Sequence, residues 1–245
     1  MSHPLKGYDI LNGSTDFLGG GTFGQVWRGR SQFSSEEVAV KVAPRRPFGP
    51  VDDEEEARTF EQKYIIGEIQ KLISVRHKNI VEVLDSHLTT DVLYIVMELC
   101  EEGSLNAFIL KQRKLPQTIR TSFVKQMTSG IQCLHDNNII HRDIKPDNLL
   151  VKKEHGGYVI KVTDLGLAKR VPDVSALASA SGVGTPDWMA PDIFPNLEDR
   201  VKYGKAADVF SLGLVFLAMV NHVPGKKLMP IKGNLTIFNQ IYKHM

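Results

Sequence analysis

The chain has 245 residues, of which 42% are apolar and 24% charged, and its formal net charge is +2. That length suits one large domain or two small lobes with a real core, and the composition is that of an ordinary globular protein. The near balance of charge argues against nucleic acid or an acidic membrane surface as a partner.

The opening "MSHPLKGYDI" lacks the apolar core of a secretory signal, so an intracellular location, cytoplasmic or nuclear, is expected. Residues 17–43 alternate in the manner of strands, with "FLGGGTFGQVWRGR" and "EEVAVKVA" joined by "SQFSS". A Pro-rich, charged loop follows, with the acidic run Asp52 to Glu56 at the start of a helix. Phe60, Ile65, Ile69, Leu72 and Ile73 have the spacing of that helix's buried face. "NIVEVLDSHL" and "VLYIVMELC" read as two further strands.

The pattern changes after Gly103. Ser104 is placed to cap a short helix carrying Leu105, Phe108 and Ile109. Ile119, Phe123, Met127, Ile131 and Leu134 mark a long amphipathic helix. "HRDIKPDNLLV" and "YVIKVTDLGL" each join a polar turn to a short strand. "VFSLGLVFLAMV", Val209 to Val220, is too short to span a bilayer and reads as a fully buried helix. The expected organisation is an N-terminal extension over 1–16, a strand-rich lobe over 17–99 and a larger helical lobe over 100–245. The two cysteines, Cys100 and Cys133, lie in apolar settings without CxxC spacing and read as reduced core thiols.

Four stretches carry chemistry. "GGGTFGQV" sets Gly19, Gly21, Gly24 and Val26 in a G-x-G-x-x-G-x-V pattern. A dinucleotide-binding reading requires a helix after the glycines, and "QVWRGR" is strand-like. A glycine loop between strands instead bares its backbone N–H groups to phosphates. Lys41 follows "VAV" at the inner end of a strand, and Glu68 on the next helix is a partner that would aim it at phosphate oxygens. "HRDIKPDNLL" packs His141, Arg142, Asp143, Lys145, Asp147 and Asn148 against apolar chain. Burying so many charges is expensive unless each has a partner or a task. Asp143 is a candidate base or orienting group for a hydroxyl, and Lys145 can neutralise a phosphoryl group. Asn148 and Asp164 offer the hard oxygen donors that Mg²⁺ prefers.

Taken together and in order, these motifs resemble the signature set of the protein kinase family, its serine/threonine class. "GGGTFGQV" resembles the family's glycine-rich loop, "VAVK" its strand lysine, Glu68 its helix acid, and "MELC" its hinge with Met97 as gatekeeper. "HRDIKPDN" resembles the catalytic loop, "DLG" the metal-binding motif, "APD" at 190–192 the usual APE, and "DVFSLG" from Asp208 the helix that anchors the catalytic loop. The resemblance implies an α+β, bilobal kinase-like fold, with a small antiparallel-sheet lobe, a mostly helical lobe and an ATP cleft between them. It also implies ATP and Mg²⁺ as cofactors and a protein bearing a Ser/Thr hydroxyl as substrate. Asp143, Lys145, Lys41, Glu68 and Thr185 become the implied catalytic set, and Asn148 and Asp164 the Mg²⁺ ligands. Leu18, Gly19, Gly21, Gly24, Val26, Ala39, Lys41, Met97, Glu98, Cys100 and Leu150 become the nucleotide site. Lys145 after "HRDI" and Thr185 in "GTPDWMAPD" favour Ser/Thr acceptors, and Asp147 with Glu101 or Glu102 is placed to attract a basic substrate residue.

Two departures stand out. The stretch between Lys41 and Glu68 is long and acidic, with no assignable role. The chain also stops 37 residues after Asp208 (245 − 208), so the usual arginine partner of the APE acid, here Asp192, is expected to be missing from a truncated lobe. The alternative function is therefore a pseudokinase or scaffold with little or no turnover.

Overall fold

The computed structural model describes residues 5–21, 24–44, 71, 73–112, 115–154, 156–170, 178–181, 184–191, 193, 200–223 and 226–228. The chain divides into two units, Met1–Glu101 and Glu102–Met245.

The first unit is built on one antiparallel sheet. Its strands are β1 (Tyr8–Ile10), β2 (Phe17–Gly21), β3 (Gly24–Ser31), β4 (Glu37–Pro44), β5 (Val83–Leu88) and β6 (Val92–Glu98). The order is β1-β3-β4-β6-β5, with β2 also paired to β3. The alternation of "VAVKVA" separates two faces. Val38 and Val40 point into a cluster with Leu5, Tyr94 and Val96, flanked by Tyr8 and Ile10. The opposite face takes Ala39, Lys41 and Ala43. Residues 8–10 thus pair with β3, and Leu5 is buried beneath them. The expectation that the strand ends at Lys41 is corrected, because Val42 and Ala43 continue pairing with Tyr94 and Leu93. Lys41 is therefore mid-strand, between Val26 and Ile95, and 8% exposed. Most of the helix expected from Phe60 onward, with Glu68 and the acidic run, lies outside the described residues; residues 71, 73 and 74 are helical.

Gly24 is required by its surroundings. Its φ is +134°, and a Cβ there would sit 2.4 Å from the Val42 carbonyl oxygen. At Gly19 the φ of +156° makes the demand, since none of the described residues crowds a Cβ.

The second unit opens with β7 (Gly103–Ser104) and α1 (Leu105–Leu110). Ser104 is the expected N-cap, its hydroxyl accepting from the Ala107 N–H at 3.2 Å. Helix α2 (Gln117–Asp136) buries Phe123, Met127, Ile131 and Leu134, as their spacing predicts. It stops where Asn138 turns left-handed at φ +58°, a role Asn tolerates. Strand β8 (Ile139–Ile140) follows, then a 3-10 turn at Pro146–Asn148, and the hairpin β9 (Leu149–Glu154) with β10 (Gly157–Val162). β7 adds to the β9 edge, β11 (Lys169–Arg170) pairs with β8, and β12 (Ala178–Ser181) pairs with β13 (Arg200–Tyr203).

Gln126 ties α2 to the hairpin, donating to Tyr158 O and accepting from Ile160 N–H. Phe108 meets Tyr158 edge-on at 4.7 Å and Phe123 at a tilt at 5.8 Å between ring centres. Helix α3 (Lys205–Val220) corrects the fully buried reading. Asp208, Ser211, Leu212, Val215, Ala218 and Met219 form one buried face, while Val209 and Val220 are 59% and 63% exposed. The helix packs by one face, so its outward apolar positions stay wet.

Phe108 is the test of this core. Phe108→Ala leaves a cavity beside the Phe123 and Tyr158 rings and is expected to cost about 3–5 kcal/mol in urea unfolding. Phe33→Ala, on a ring 84% exposed, is expected to stay within about 0.5 kcal/mol of the parent.

Candidate active site

Four of the residues singled out in the sequence, Asp143, Lys145, Asn148 and Thr185, meet around the turn between β8 and β9. The Asp143 carboxylate, 7% exposed, is held on both oxygens. Oδ1 accepts from Thr185 Oγ1 at 2.7 Å. Oδ2 pairs with Lys145 Nζ at 2.8 Å and accepts from Asn148 Nδ2 at 3.0 Å. Lys145 Nζ also donates to Thr185 Oγ1 at 2.7 Å, so protons are consistently placed from ammonium to hydroxyl to carboxylate. Asn148 Nδ2 further donates to the Asp143 carbonyl at 2.8 Å. Its amide nitrogen is spent on holding Asp143, and its oxygen is the atom with which it can ligate a cation.

Burial pushes the Asp143 carboxyl up. The hydrogen bonds from Lys145 and Thr185 and the Lys145 charge outweigh that, and its pKa lies below the ordinary aspartate value.

Asn148 and Asp164 are brought together by the hairpin. Val162 pairs with Leu149, and the Thr163 N–H donates to Asn148 O at 3.1 Å. Asp164 is the next residue, half-buried and left-handed at φ +62°.

The loop itself is anchored from α3. Asp208, 1% exposed, accepts from the backbone N–H groups of His141 and Arg142 at 2.8 and 2.9 Å. It also meets His135 Nε2 at 2.8 Å. His141 is fully buried; its Nδ1 accepts from Asp143 N–H and its Nε2 faces Thr163 O at 3.0 Å. The carbonyl on one side and the N–H on the other fix the Nε2–H tautomer. Arg142 is left-handed at φ +70° and donates through Nε to Leu167 O at 2.6 Å.

Three contributors went unread in the sequence. Gly184 lies so close that a Cβ would stand 2.6 Å from Arg142 O, at φ +117°. It is the glycine that lets Thr185 approach Asp143, and its place directly before that threonine was the available signal. His135 supports Asp208 from the last turn of α2. Asn106, on α1, donates to both Asp147 oxygens at 3.1 and 3.0 Å. Asp147 is thus tied into the fold rather than simply open to a basic substrate.

The first unit carries the other named residues. Lys41 lies on the same face of β4 as Ala39, whose register partner on β6 is Met97. Glu98 is fixed twice against Glu82: its N–H donates to Glu82 O at 3.0 Å, and its Oε1 accepts from Glu82 N–H at 2.9 Å. Leu18, Gly19 and Gly21 are on β2 and Val26 on β3. Cys100 is buried just past β6, and Leu150 is the second residue of β9, opposite Ser104 in the second unit. Glu68 and Asp192 lie outside the described residues.

Two measurements probe this geometry. Asp208→Ala orphans two backbone N–H groups and is expected to cost about 2–6 kcal/mol, at roughly 1–3 for each. Lys145→Met is expected to raise the Asp143 pKa, followed by carboxyl-carbon NMR titration. In the parent, the depressed pKa contributes stability above the unfolded-state value, and this is lost as pH falls through the folded one. With the cation gone, that contribution shrinks and burial works against it.

A family model described as "Protein kinase domain" matches residues 14–243. Serine/threonine-protein kinase ATG1a of Arabidopsis thaliana is 30% identical over 229 residues, covering 92% of this chain and 33% of that protein. Mitogen-activated protein kinase kinase kinase 1a of Physcomitrium patens is 35% identical over 213 residues, 85% of this chain and 25% of that protein. Cell division control protein 7 of Schizosaccharomyces pombe is 34% identical over 222 residues, 91% of this chain and 19% of that protein. The chain spans a third or less of the length of these relatives. With that match over nearly its whole length, the chain belongs to the protein kinase family.

Proposed function

We propose that this chain transfers the γ-phosphoryl group of Mg-ATP to a serine or threonine hydroxyl of a protein substrate. The observation that carries the reading is the ring of Lys145, Thr185 and Asn148 around the Asp143 carboxylate. A hydroxyl at that carboxylate finds an oriented acceptor for its proton, with a cation beside it. The hydroxyl oxygen forms the new bond to phosphorus, ADP leaves with the electrons of the old one, and the proton passes to Asp143. Such a transition state spreads negative charge over the phosphoryl oxygens, and fixed positive charge is what stabilises it. Lys145 is a cation placed for that task. Thr185, whose hydroxyl engages both Lys145 and Asp143, favours the Ser/Thr class by its resemblance to the threonine of serine/threonine kinases.

The donor chemistry fits Mg²⁺. Asn148 offers a neutral amide oxygen and Asp164 a carboxylate, two hard ligands of the kind that leaves room for waters and phosphates. Bound there, the ion supplies neutralisation of phosphate charge. In the first unit, Lys41 is the candidate contact to the α- and β-phosphates, with Glu68 as its partner. The glycines of β2 and β3 would bare their N–H groups to the phosphates. Leu18, Val26, Ala39, Met97 and Cys100 would line the base within the first unit. The Glu98 N–H is already used by Glu82, so that residue would meet the base through its carbonyl.

The test is a radiolabelled ATP assay on a generic basic protein. The parent chain is expected to transfer label in the presence of Mg²⁺. Asp143→Asn and Asp164→Asn are each expected to lose about 10²-fold or more with the fold intact by circular dichroism. Undiminished transfer by folded Asp164→Asn would refute its metal role, and a silent, well-folded parent would favour the scaffold alternative.

A further inference from the structure

Asn106 has no part in the reading above, and its environment is unusual. It is the second residue of α1 and is 4% exposed. Its Nδ2 donates to both Asp147 oxygens, and its Oδ1 accepts from the Leu228 N–H at 2.9 Å. The amide orientation follows from these partners: flipped, the nitrogen would face an N–H and the oxygen a carboxylate. One buried side chain therefore bridges three separate parts of the second unit. These are α1, the 3-10 turn Pro146–Asn148, and residues 226–228, where Leu228 is itself 2% exposed.

The local chain explains why Asn106 reaches the turn. β7 pairs Ser104 with Leu150 at the start of β9. The Ser104 cap then starts α1 directly over the residues that precede Leu150. Asp147 lies among them, and the adjacent Asn148 closes the turn with its N–H on Lys145 O at 3.0 Å.

We propose that Asn106 is a positioning residue: a buried amide clamp that fixes Asp147 and thereby holds Asn148, and through it Asp143, in register with the 226–228 segment. Its mechanical claim stands on the geometry, while its consequence for turnover rests on the kinase reading. An exposed aspartate on a short turn is otherwise held by water alone. With both oxygens tied to a buried donor, the turn inherits the rigidity of α1. A shift at Asp147 would move Asn148, whose amide holds the Asp143 carbonyl and carboxylate together.

A residue swap tests this. Asn106→Asp keeps an acceptor for Leu228 N–H but sets a second carboxylate against Asp147. Adding Asp147→Asn supplies an amide that donates back across the same gap. On the full 245-residue chain, Asn106→Asp is expected to speed hydrogen exchange at the Asn148 amide about tenfold. Phosphotransfer is expected to slow by a similar factor. The double variant is expected to return to within about threefold of the parent in both. A residue that merely filled space would not be rescued by the swap. Unaltered Asn148 exchange in Asn106→Asp, or a double variant no better than the single, overturns the proposal. If Asn106→Asp does not fold, Asn106→Ser, which removes the reach without adding charge, is measured in its place against the same exchange criterion. Exchange is read without nucleotide, so a parent that transfers no phosphate would sink the kinase reading while the exchange data still decide the clamp.

Discussion

The Asp208 carboxylate, buried on α3, takes the backbone N–H groups of two consecutive residues, His141 and Arg142, and meets the imidazole of His135. Consecutive N–H groups seldom point the same way in extended chain. They converge here on one carboxylate, and the chain then turns left-handed at Arg142, a conformation that costs a side-chain-bearing residue roughly 1–2 kcal/mol. A buried carboxylate repays that cost, since hydrogen bonds to a charged group are each worth about 1.5–3 kcal/mol. The turn at Arg142 then aims Asp143 at Lys145 and Thr185. Lys205 reinforces the arrangement by donating to the His135 carbonyl, so the first turn of α3 and the last turn of α2 grip the loop together.

The same economy appears across the β9–β10 hairpin. Asp164 is the second strained residue of the site, and it too follows a fixed backbone contact, Thr163 to Asn148. Strain of this kind persists where surrounding bonds over-determine it, and it gathers where side chains must be aimed. His141 joins the two strained segments, one ring nitrogen facing Thr163 O and the other taking the Asp143 N–H. A buried ring between two backbone groups does what neither side chain nor sheet pairing could do alone: it sets the spacing between the acid and the candidate metal ligands.

Much of this was legible in the sequence, and the reasons differ by element. The α2 stripe and the Ser104 cap are local rules, and they held. Asp143 and Lys145 stood out because charged residues beside apolar chain need partners, Asn148 and Asp164 because they offer hard oxygen donors, and Thr185 only through the resemblance to the kinase family. The helix α3 misread has a physical cause: an all-apolar run carries no polar face to mark its outside, so composition could not separate Val209 from Val215. Lys41 looked terminal because a charge interrupts the valines, yet backbone pairing does not depend on side-chain polarity. Asn106 and Gly184 were illegible in a different way. An asparagine near a helix start and a glycine in a loop are common, and what distinguishes these two is a partner 41 residues away and a carbonyl belonging to Arg142.

The depressed pKa of Asp143 bears on the role it can play. A general base works best when its pKa lies near the working pH, and a carboxylate held below the ordinary aspartate value is a weak one. The donors on its two oxygens are what hold its basicity down. Early removal of a hydroxyl proton is therefore not what this arrangement favours. A loose phosphoryl-transfer transition state does not ask for it, because the attacking oxygen bonds weakly until late and its proton turns acidic only then. What such a reaction needs is an oxygen aimed along one line and a site that does not reorganise as charge moves. A fully ionised, fully bonded carboxylate meets that need, with Lys145 shared between it and Thr185. The hydrogen bonds that make Asp143 a poor base are the ones that make it a good guide, and on the proposed function guidance is its larger contribution.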